Sequence, residues 1–342
     1  MRPVLILFVS ALLAACGGSG SDAGNGPSGG NSGATIHAAD LCVNNDCGEA
    51  VRLLAIPDAE NLLFAPDGRL FVTGGQNIYE ITQNSDGSFA ATPLAEESPC
   101  GFTGMAIRDG ILYANGCGTR LFAGRLTAQP VLRAIYTYDM PSCIPNGLAL
   151  GPDGRLYSVD EPLLPQCLPP APKIVRLTLD PADPMQVASE EVWVAGSPAG
   201  LLFLGLDTTL RFPNGIVRDG NTFYATDGGS VFSVELLPDG SAGPVTPLFF
   251  EPTAHDDLGL GGVDGLLVSD FFKGRILLLS RDGELLQETA PFTFTAVSSV
   301  RLGQPPMFVP TDILVTDKGV IGDNNLPIDY LTLFRRRAGA RP

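Results

Sequence analysis

Short apolar runs alternate with turn dipeptides along most of the chain, and no useful length keeps the 3.6-residue spacing of an amphipathic helix. The stretch PNGLALGPDGRLYSVD, Pro145 to Asp160, shows the pattern best. An apolar run, Leu148-Ala149-Leu150, precedes a Pro-Asp-Gly turn and the alternating run Arg155 to Val159, which predicts two β-strands joined by a tight turn. Related units begin at Asn61, Gly104, Asn214, Leu258 and Asp312, each with an Asp-Gly or Lys-Gly turn between apolar strands. The six units lie mostly 40 to 55 residues apart, with one wider gap of 68 between the third and fourth.

One such unit cannot cover its own apolar faces, so repetition at this period predicts a radial or stacked array. A third strand follows most hairpins: Asn77 to Thr82, Arg120 to Leu126, Lys173 to Leu179, Val231 to Leu236 and Arg275 to Ser280. A fourth usually follows, as at Glu284 to Thr289. Four strands in each of six units predict an all-β, six-bladed propeller. The last unit ends at Tyr330 to Phe334 without an outer strand, while Ala50 to Ile56 is an orphan strand before the first unit. Placing that N-terminal strand in the last blade closes the ring and removes an exposed edge.

The amino terminus reads differently. Arg2 and the twelve-residue apolar core Val4 to Ala15 form a secretion signal, too short to span a bilayer. Leu13-Ala14-Ala15-Cys16 resembles the lipobox of bacterial lipoproteins, which makes residues 1–15 a leader and Cys16 the acylated first residue of the exported chain. Residues 16–39 are a Gly/Ser-rich tether, 40–337 the propeller and 338–342 a tail. Gly17, in place of Asp, points to the outer membrane, on its periplasmic or surface side. Membrane contact is then through the lipid anchor only.

Forty-one glycines and twenty-nine prolines suit short strands and many turns. The formal charge of −16 argues against nucleic acid as a partner, because phosphate contact needs basic patches. Most of that acidity serves solubility, and part of it is available for cation binding. With Cys16 on lipid, six cysteines remain, an even number that suggests disulfides in an exported chain. Sequence-local pairing, Cys42–Cys47, Cys100–Cys117 and Cys143–Cys167, is the simplest of fifteen arrangements. There is no CxxC and there are two histidines, which argues against a zinc-thiolate centre.

In a propeller the residues heading the innermost strands ring one mouth of the central channel. Here they are Glu60, Thr103, Asn146, Asn214, Asp256 or Asp257, and Thr311. From Glu60 to Gly74, Asn146 to Asp160 and Asp256 to Asp270 is fourteen residues each, and from Asn214 to Asp227 thirteen. Two carboxylates and two amide oxygens in a common register form a hard-oxygen set that suits one divalent cation. Calcium comes first, with magnesium, manganese or zinc as alternatives. Taken alone, Asn-Gly is foremost a turn dipeptide, and Asp264 reads as a turn residue.

Glu60 before an apolar strand, Pro145-Asn146-Gly147, Pro213-Asn214-Gly215 and an Asp heading the fifth unit resemble the gluconolactonase/regucalcin family over about Asp58 to Asn325. The resemblance implies a six-bladed propeller with one divalent cation held by Glu60, Asn146, Asn214 and Asp256. It also implies metal-assisted hydrolysis of a cyclic ester, with Asp256 as general base. Two departures stand out. His255-Asp256-Asp257 replaces the family's Pro-Asp-Gly, and Cys143-Ile144-Pro145 stands where sugar-lactone members carry an arginine.

His255 either assists at the mouth or is a bystander. The inserts Glu161 to Pro172 and Ser197 to Leu206 supply either an apolar substrate wall or edge packing. A small-molecule substrate, an apolar lactone rather than a sugar lactone, is therefore expected. No Gly-x-Ser-x-Gly elbow supports a serine hydrolase. The rival reading is a non-catalytic propeller that binds a ligand or protein and carries a structural calcium site.

Overall fold

A computed structural model describes residues 35–94, 101–116, 118–139, 142–162, 172–197, 209–319 and 329–340. The leader, Cys16 and most of the tether lie outside the described residues, as do most of the two inserts between the third and fourth units. A first strand, β1 (Gly48–Ala55), is followed by blade one, made of β2 (Ala59–Phe64), β3 (Leu70–Gly74), β4 (Asn77–Gln83) and β5 (Phe89–Pro93). Blade two holds β6 (Phe102–Arg108), β7 (Ile111–Gly116), β8 (Arg120–Arg125) and β9 (Arg133–Thr137). Blade three holds β10 (Ile144–Leu150), β11 (Leu156–Glu161), β12 (Lys173–Leu179) and β13 (Val187–Ala195). In blade four are β14 (Pro213–Asp219), β15 (Thr222–Asp227), β16 (Ser230–Glu235) and β17 (Thr246–Phe250). Blade five comprises β18 (His255–Leu260), β19 (Gly265–Asp270), β20 (Arg275–Ser280) and β21 (Leu285–Glu288). Blade six comprises β22 (Val297–Leu302), β23 (Ile313–Asp317) and β24 (Tyr330–Arg336).

Each blade is an antiparallel sheet in chain order, and β1 completes the sixth as its outer strand, in the order β1-β24-β23-β22. Gly48 pairs with Arg336 and Ala55 with Tyr330, so the expected closure by an N-terminal strand is what the chain does. First strands of successive blades touch in a closed cycle, β2 to β6, β10, β14, β18, β22 and back to β2. Apolar side chains meet between the blades rather than inside any one of them. Between blades three and four, for example, Tyr157 lies 4.3 Å from Phe223 and 4.9 Å from Trp193, ring to ring. Leu267, Ile276 and Leu278 of blade five pack on Val297, Ile313 and Val315 of blade six.

One strand differs from expectation. The inner strand of blade six is Val297–Leu302, and Ile313–Asp317 is the second strand. Thr311 therefore sits in the connection at the opposite end of the blade, not at the mouth. No Asp-Gly turn marks this hairpin, because a longer Pro-containing connection, residues 303–312, joins its strands. Asp317-Lys318-Gly319, at the far end of β23, carries the misleading turn signal.

Every inner strand is bulged near its start. Glu60 and Asn61 lie opposite Thr73 alone, Thr103 and Gly104 opposite Asn115, and Asn146 and Gly147 opposite Val159. Asn214 and Gly215 face Thr226, while Asp256 and Asp257 face Ser269. In blade six Ser298 is the unpaired residue. A bulge adds a residue, bends its strand and re-aims the side chains there.

The residue opposite the bulge links one blade to the next. Thr226 Oγ1 accepts from Gly215 N at 2.8 Å and donates to Asp256 O at 2.6 Å. Thr73 reaches Thr103 O at 3.2 Å, Asn115 reaches Asn146 O at 2.8 Å, and Ser269 reaches Ser298 O at 3.0 Å. Thr316 links blade six back to blade one through Glu60 O at 2.8 Å. Blade three has Val159 at this position. The adjoining backbones pass so close that a Cβ on Gly147 would lie 2.7 Å from Asn214 O. That approach is why glycine follows Asn146, and Asn-Gly here lies within a strand rather than in a turn.

Cys42 and Cys47 form the expected disulfide. Cys143 is also disulfide-bonded, and Cys100, Cys117 and Cys167 lie outside the described residues. Replacing Thr226 by valine keeps the shape but strands Gly215 N and Asp256 O in the buried belt. Urea denaturation of Thr226→Val should show a loss of about 1–3 kcal/mol; an unchanged midpoint would remove the belt as a stabilising element.

Candidate functional site

The bulges bring Glu60, Thr103, Asn146, Asn214, Asp256 and Ser298 to the same end of the ring, one from each blade. Two of the six have other roles. Thr103 Oγ1 donates to Pro145 O at 2.7 Å, which ties blade two to blade three. Ser298 Oγ is buried without a hydrogen-bond partner among the described residues. The other four are the oxygen donors of the expected set. Asn214 makes no side-chain hydrogen bond among the described residues, and Asp256 is buried facing the mouth carboxylates.

The two adjacent aspartates divide by environment. Asp256 feels Glu60 and Glu161 as near like charges, and burial together with Glu60 pushes it well above the usual carboxylate range. Asp257 turns into the channel wall. Its Oδ2 accepts from Asn61 Nδ2 at 2.9 Å, Ser299 Oγ at 2.6 Å and Arg301 at 2.9 Å. Of the pair, Asp256 alone shares the mouth with Glu60.

Two further side chains, absent from the sequence reading, complete the mouth. Glu161 ends β11 and accepts a hydrogen bond from Asn146 Nδ2 at 2.9 Å, which leaves the amide oxygen of Asn146 unbonded. Burial, opposed by that hydrogen bond and reinforced by Glu60, pushes Glu161 up to about 7. Lys318 occupies the matching position after β23, and its ammonium is ion-paired with Glu60 Oε2. Burial pulls Lys318 down, but Glu60 and Asp256 outweigh it and push the ammonium up to about 12. Each directly follows an aspartate paired with the start of its blade's inner strand, Asp160 opposite Pro145 and Asp317 opposite Val297. Extending the fourteen-residue register by one position from Asn146 reaches Glu161, whereas Lys318 falls outside it because the longer connection 303–312 shifts the count in blade six.

Those aspartates have a structural task. Asp160 Oδ1 accepts from Cys143 N at 2.8 Å, and Asp317 Oδ1 from both Thr295 N and Ala296 N at 2.9 Å. Asp227 accepts from Arg211 N and Phe212 N, and Asp270 from Thr253 Oγ1. Each clamps the segment that feeds its blade's inner strand, so part of the acidity shapes the mouth without entering it. Asp264, at the other end of blade five, holds the N-terminal segment through Ala38 N at 2.6 Å and His37 Nδ1 at 3.1 Å. His255 is buried, with both ring nitrogens unpartnered and its ring 5.8 Å from Phe249. Burial pushes it down to about 4, against Asp270 and Glu251, so it is neutral near pH 7, with its ring toward Phe249 of blade four.

Glu60, Asp256 and Asn146, with the unbonded Asn214, suit a hard cation in kind, since all offer oxygen. The charge balance suits one too. Among the described residues, three carboxylates, Glu60, Asp256 and Glu161, share the mouth with a single ammonium. No group of three carboxylate, imidazole or thiolate side chains reaches metal-ligand spacing among the described residues. Lys318 holds the place against Glu60 instead.

No protein-family profile and no curated protein matches this sequence. Solved structures do. A gluconolactonase of Xanthomonas campestris aligns with a TM-score of 0.63 at 17% identity, covering 89% of this chain and 94% of that one. A calcium-binding protein, regucalcin, from Agrobacterium tumefaciens aligns at 0.59 and 16%, covering 84% and 92%. An aldose sugar dehydrogenase of Streptomyces coelicolor, solved with bound PQQ, aligns at 0.55 and 15%, covering 85% and 98%. The shared property is the six-bladed fold, on which these neighbours carry different chemistries.

The two aspartates should separate in a stability measurement. Asp257→Ala removes the carboxylate that pairs with Arg301 and accepts from Asn61 and Ser299, and should cost about 3–5 kcal/mol in denaturant titration. Asp256→Asn relieves like-charge crowding and should be neutral or stabilising. The opposite order would mean that Asp257, not Asp256, belongs to the mouth.

Proposed function

We propose that this protein is a divalent-cation-dependent hydrolase of lactones or related esters, with the propeller mouth as its active site. The observation that carries this reading is the concentration of Glu60, Asp256 and Glu161-oriented Asn146 at one end of the ring, where only one ammonium offsets three carboxylates. Glu60, Asn146, Asn214 and Asp256 would hold the ion, calcium in the first place. The bound ion supplies Lewis acidity to the ester carbonyl and to water.

The chain's own residues do the rest. Asp256 faces the mouth and takes the proton as water attacks the carbonyl carbon. It returns that proton to the ring oxygen as the carbon–oxygen bond breaks. Glu161 fixes the Asn146 amide by its hydrogen bond, so that the amide oxygen is presented to the mouth. The stretch Cys143-Ile144-Pro145, which leads into Asn146 at the mouth wall, stands where a sugar-lactone enzyme of the resembled family has an arginine. An apolar lactone suits that wall better than a polyol. The similarity to gluconolactonase and regucalcin structures supports the reading at the level of scaffold.

Location belongs to the same proposal: a chain exported by residues 1–15 and held at a bacterial membrane, on the envelope side, through acylated Cys16. Mass spectrometry of the membrane-extracted protein should find lipid on Cys16, and Cys16→Ala should appear in the soluble envelope fraction. Recovery of unmodified wild-type protein there would reject the anchor.

Turnover of acyl or aryl lactones should exceed that of gluconolactone, disappear with chelator and return with calcium. Asn214→Ala should lose at least 100-fold in kcat/KM, about 2.7 kcal/mol, while keeping its far-ultraviolet circular dichroism. Lactone hydrolysis that ignores both chelator and Asn214→Ala would overturn the proposal, and ligand binding without hydrolysis would favour a binding propeller.

A further inference from the structure

Lys318 is the one residue of the mouth whose charge the proposed ion would repel. Its backbone is fixed, with Lys318 N donating to Ala296 O at 2.8 Å. Its side chain is largely buried, and the ammonium is ion-paired with Glu60, with the charges of Asp256 and Asp58 also acting on it. The corresponding position after the second strand is Gly75 in blade one, Gly228 in blade four and Phe271 in blade five. A cation there is therefore peculiar to blade six and is no requirement of the blade. Nor does it complete the hydrogen-bond belt, in which Thr316 already links blade six to Glu60 O.

We propose that Lys318 is a built-in counter-cation of the mouth: its ammonium holds Glu60 in the ion-free protein and must withdraw before a divalent cation can bind, so this one residue sets the affinity of the site. The inference rests on the reading of the mouth as a cation site. An ammonium and a divalent ion cannot share one carboxylate without strong repulsion, because two like charges a few ångströms apart in a buried setting are poorly screened. A lysine suits an exchange of this kind. Its charge sits at the end of a flexible four-carbon stem, so rotation of the side chain clears the site while the main chain stays in place. Arginine would keep the charge and bind Glu60 with a more rigid fork.

Three consequences separate this role from a structural ion pair. In the absence of divalent ions Lys318 stabilises the fold by neutralising crowded carboxylates. In their presence it costs affinity. Its removal should therefore lower stability in chelator and raise affinity for calcium, two changes of opposite sign from one substitution.

The experiment is isothermal titration of calcium chloride into wild type, Lys318→Met and Lys318→Arg in divalent-free buffer, with thermal melts of each in chelator and in calcium. The expected result is calcium binding on the order of 10- to 100-fold tighter in Lys318→Met than in wild type, with a lower melting temperature in chelator and a larger rise on adding calcium. Lys318→Arg should stay at or below wild-type affinity. Equal or weaker calcium binding by Lys318→Met, when wild type does bind, overturns the counter-cation role and leaves the cation site standing. No binding by either protein overturns both. Should the methionine variant fail to fold without calcium but fold with it, the expected opposite signs are already present; should it fold in neither, Lys318→Gln is titrated in its place with the same outcomes.

Discussion

A belt of buried hydrogen bonds near one end of the ring, each running from a second strand to the next blade's bulge, is the constraint on which the site depends. Thr73, Asn115, Thr226, Ser269 and Thr316 each reach the backbone carbonyl of a mouth residue in the next blade. The carbonyls they hold belong to Thr103, Asn146, Asp256, Ser298 and Glu60. Side chains far apart in sequence are thus positioned by short hydrogen bonds to their own backbones. Burial makes these bonds consequential, since an unpaired donor or acceptor there would keep its full desolvation cost. Apolar packing between blades supplies the bulk of the stability, while the belt fixes which atoms meet at the axis.

Crowded charge follows from the same geometry. A ring that brings one residue from each blade to a narrow mouth concentrates whatever charge those residues carry. Here it gathers Glu60, Asp256 and Glu161 around Lys318. Low exposure weakens solvent screening, so burial and mutual repulsion both act to raise Asp256 and Glu161. Shifted carboxylates in a concave, polar setting are a frequent mark of function. The clamping aspartates at positions 160, 227, 270 and 317 accept from backbone N–H groups and serve the loops, and burial raises Asp160 and Asp317 as well, so geometry rather than the shift alone singles out the mouth.

Much of this architecture was legible in the residues. The Asp-Gly turns between apolar runs located five of six inner hairpins, and the orphan strand before Glu60 announced the ring's closure. The sixth hairpin escaped because residues 303–312 replace the tight turn, so Ser298 rather than Thr311 heads the inner strand. The register that aligned Glu60, Asn146, Asn214 and Asp256 is physically the bulge, two residues opposite one, and periodicity alone cannot reveal a bulge. Glycine at 147 and 215 is the trace it leaves, required by the approach of the adjoining backbone rather than by a turn. Glu161 and Lys318 were harder to read. Glu161 is the last residue of β11 and Lys318 the first after β23, and only the closed ring brings them opposite Glu60. Asp264 looked like a plain turn residue because its partners, His37 and Ala38, come from the other end of the chain.

A crystal grown in manganese chloride, measured near the manganese absorption edge, addresses the central claim directly. One anomalous peak at the mouth is predicted, with oxygens of Glu60, Asn146, Asn214 and Asp256 at about 2.1–2.4 Å and the Lys318 side chain rotated away from Glu60. An ordered Lys318–Glu60 ion pair with no peak at the mouth, or a peak held by other residues, would contradict it.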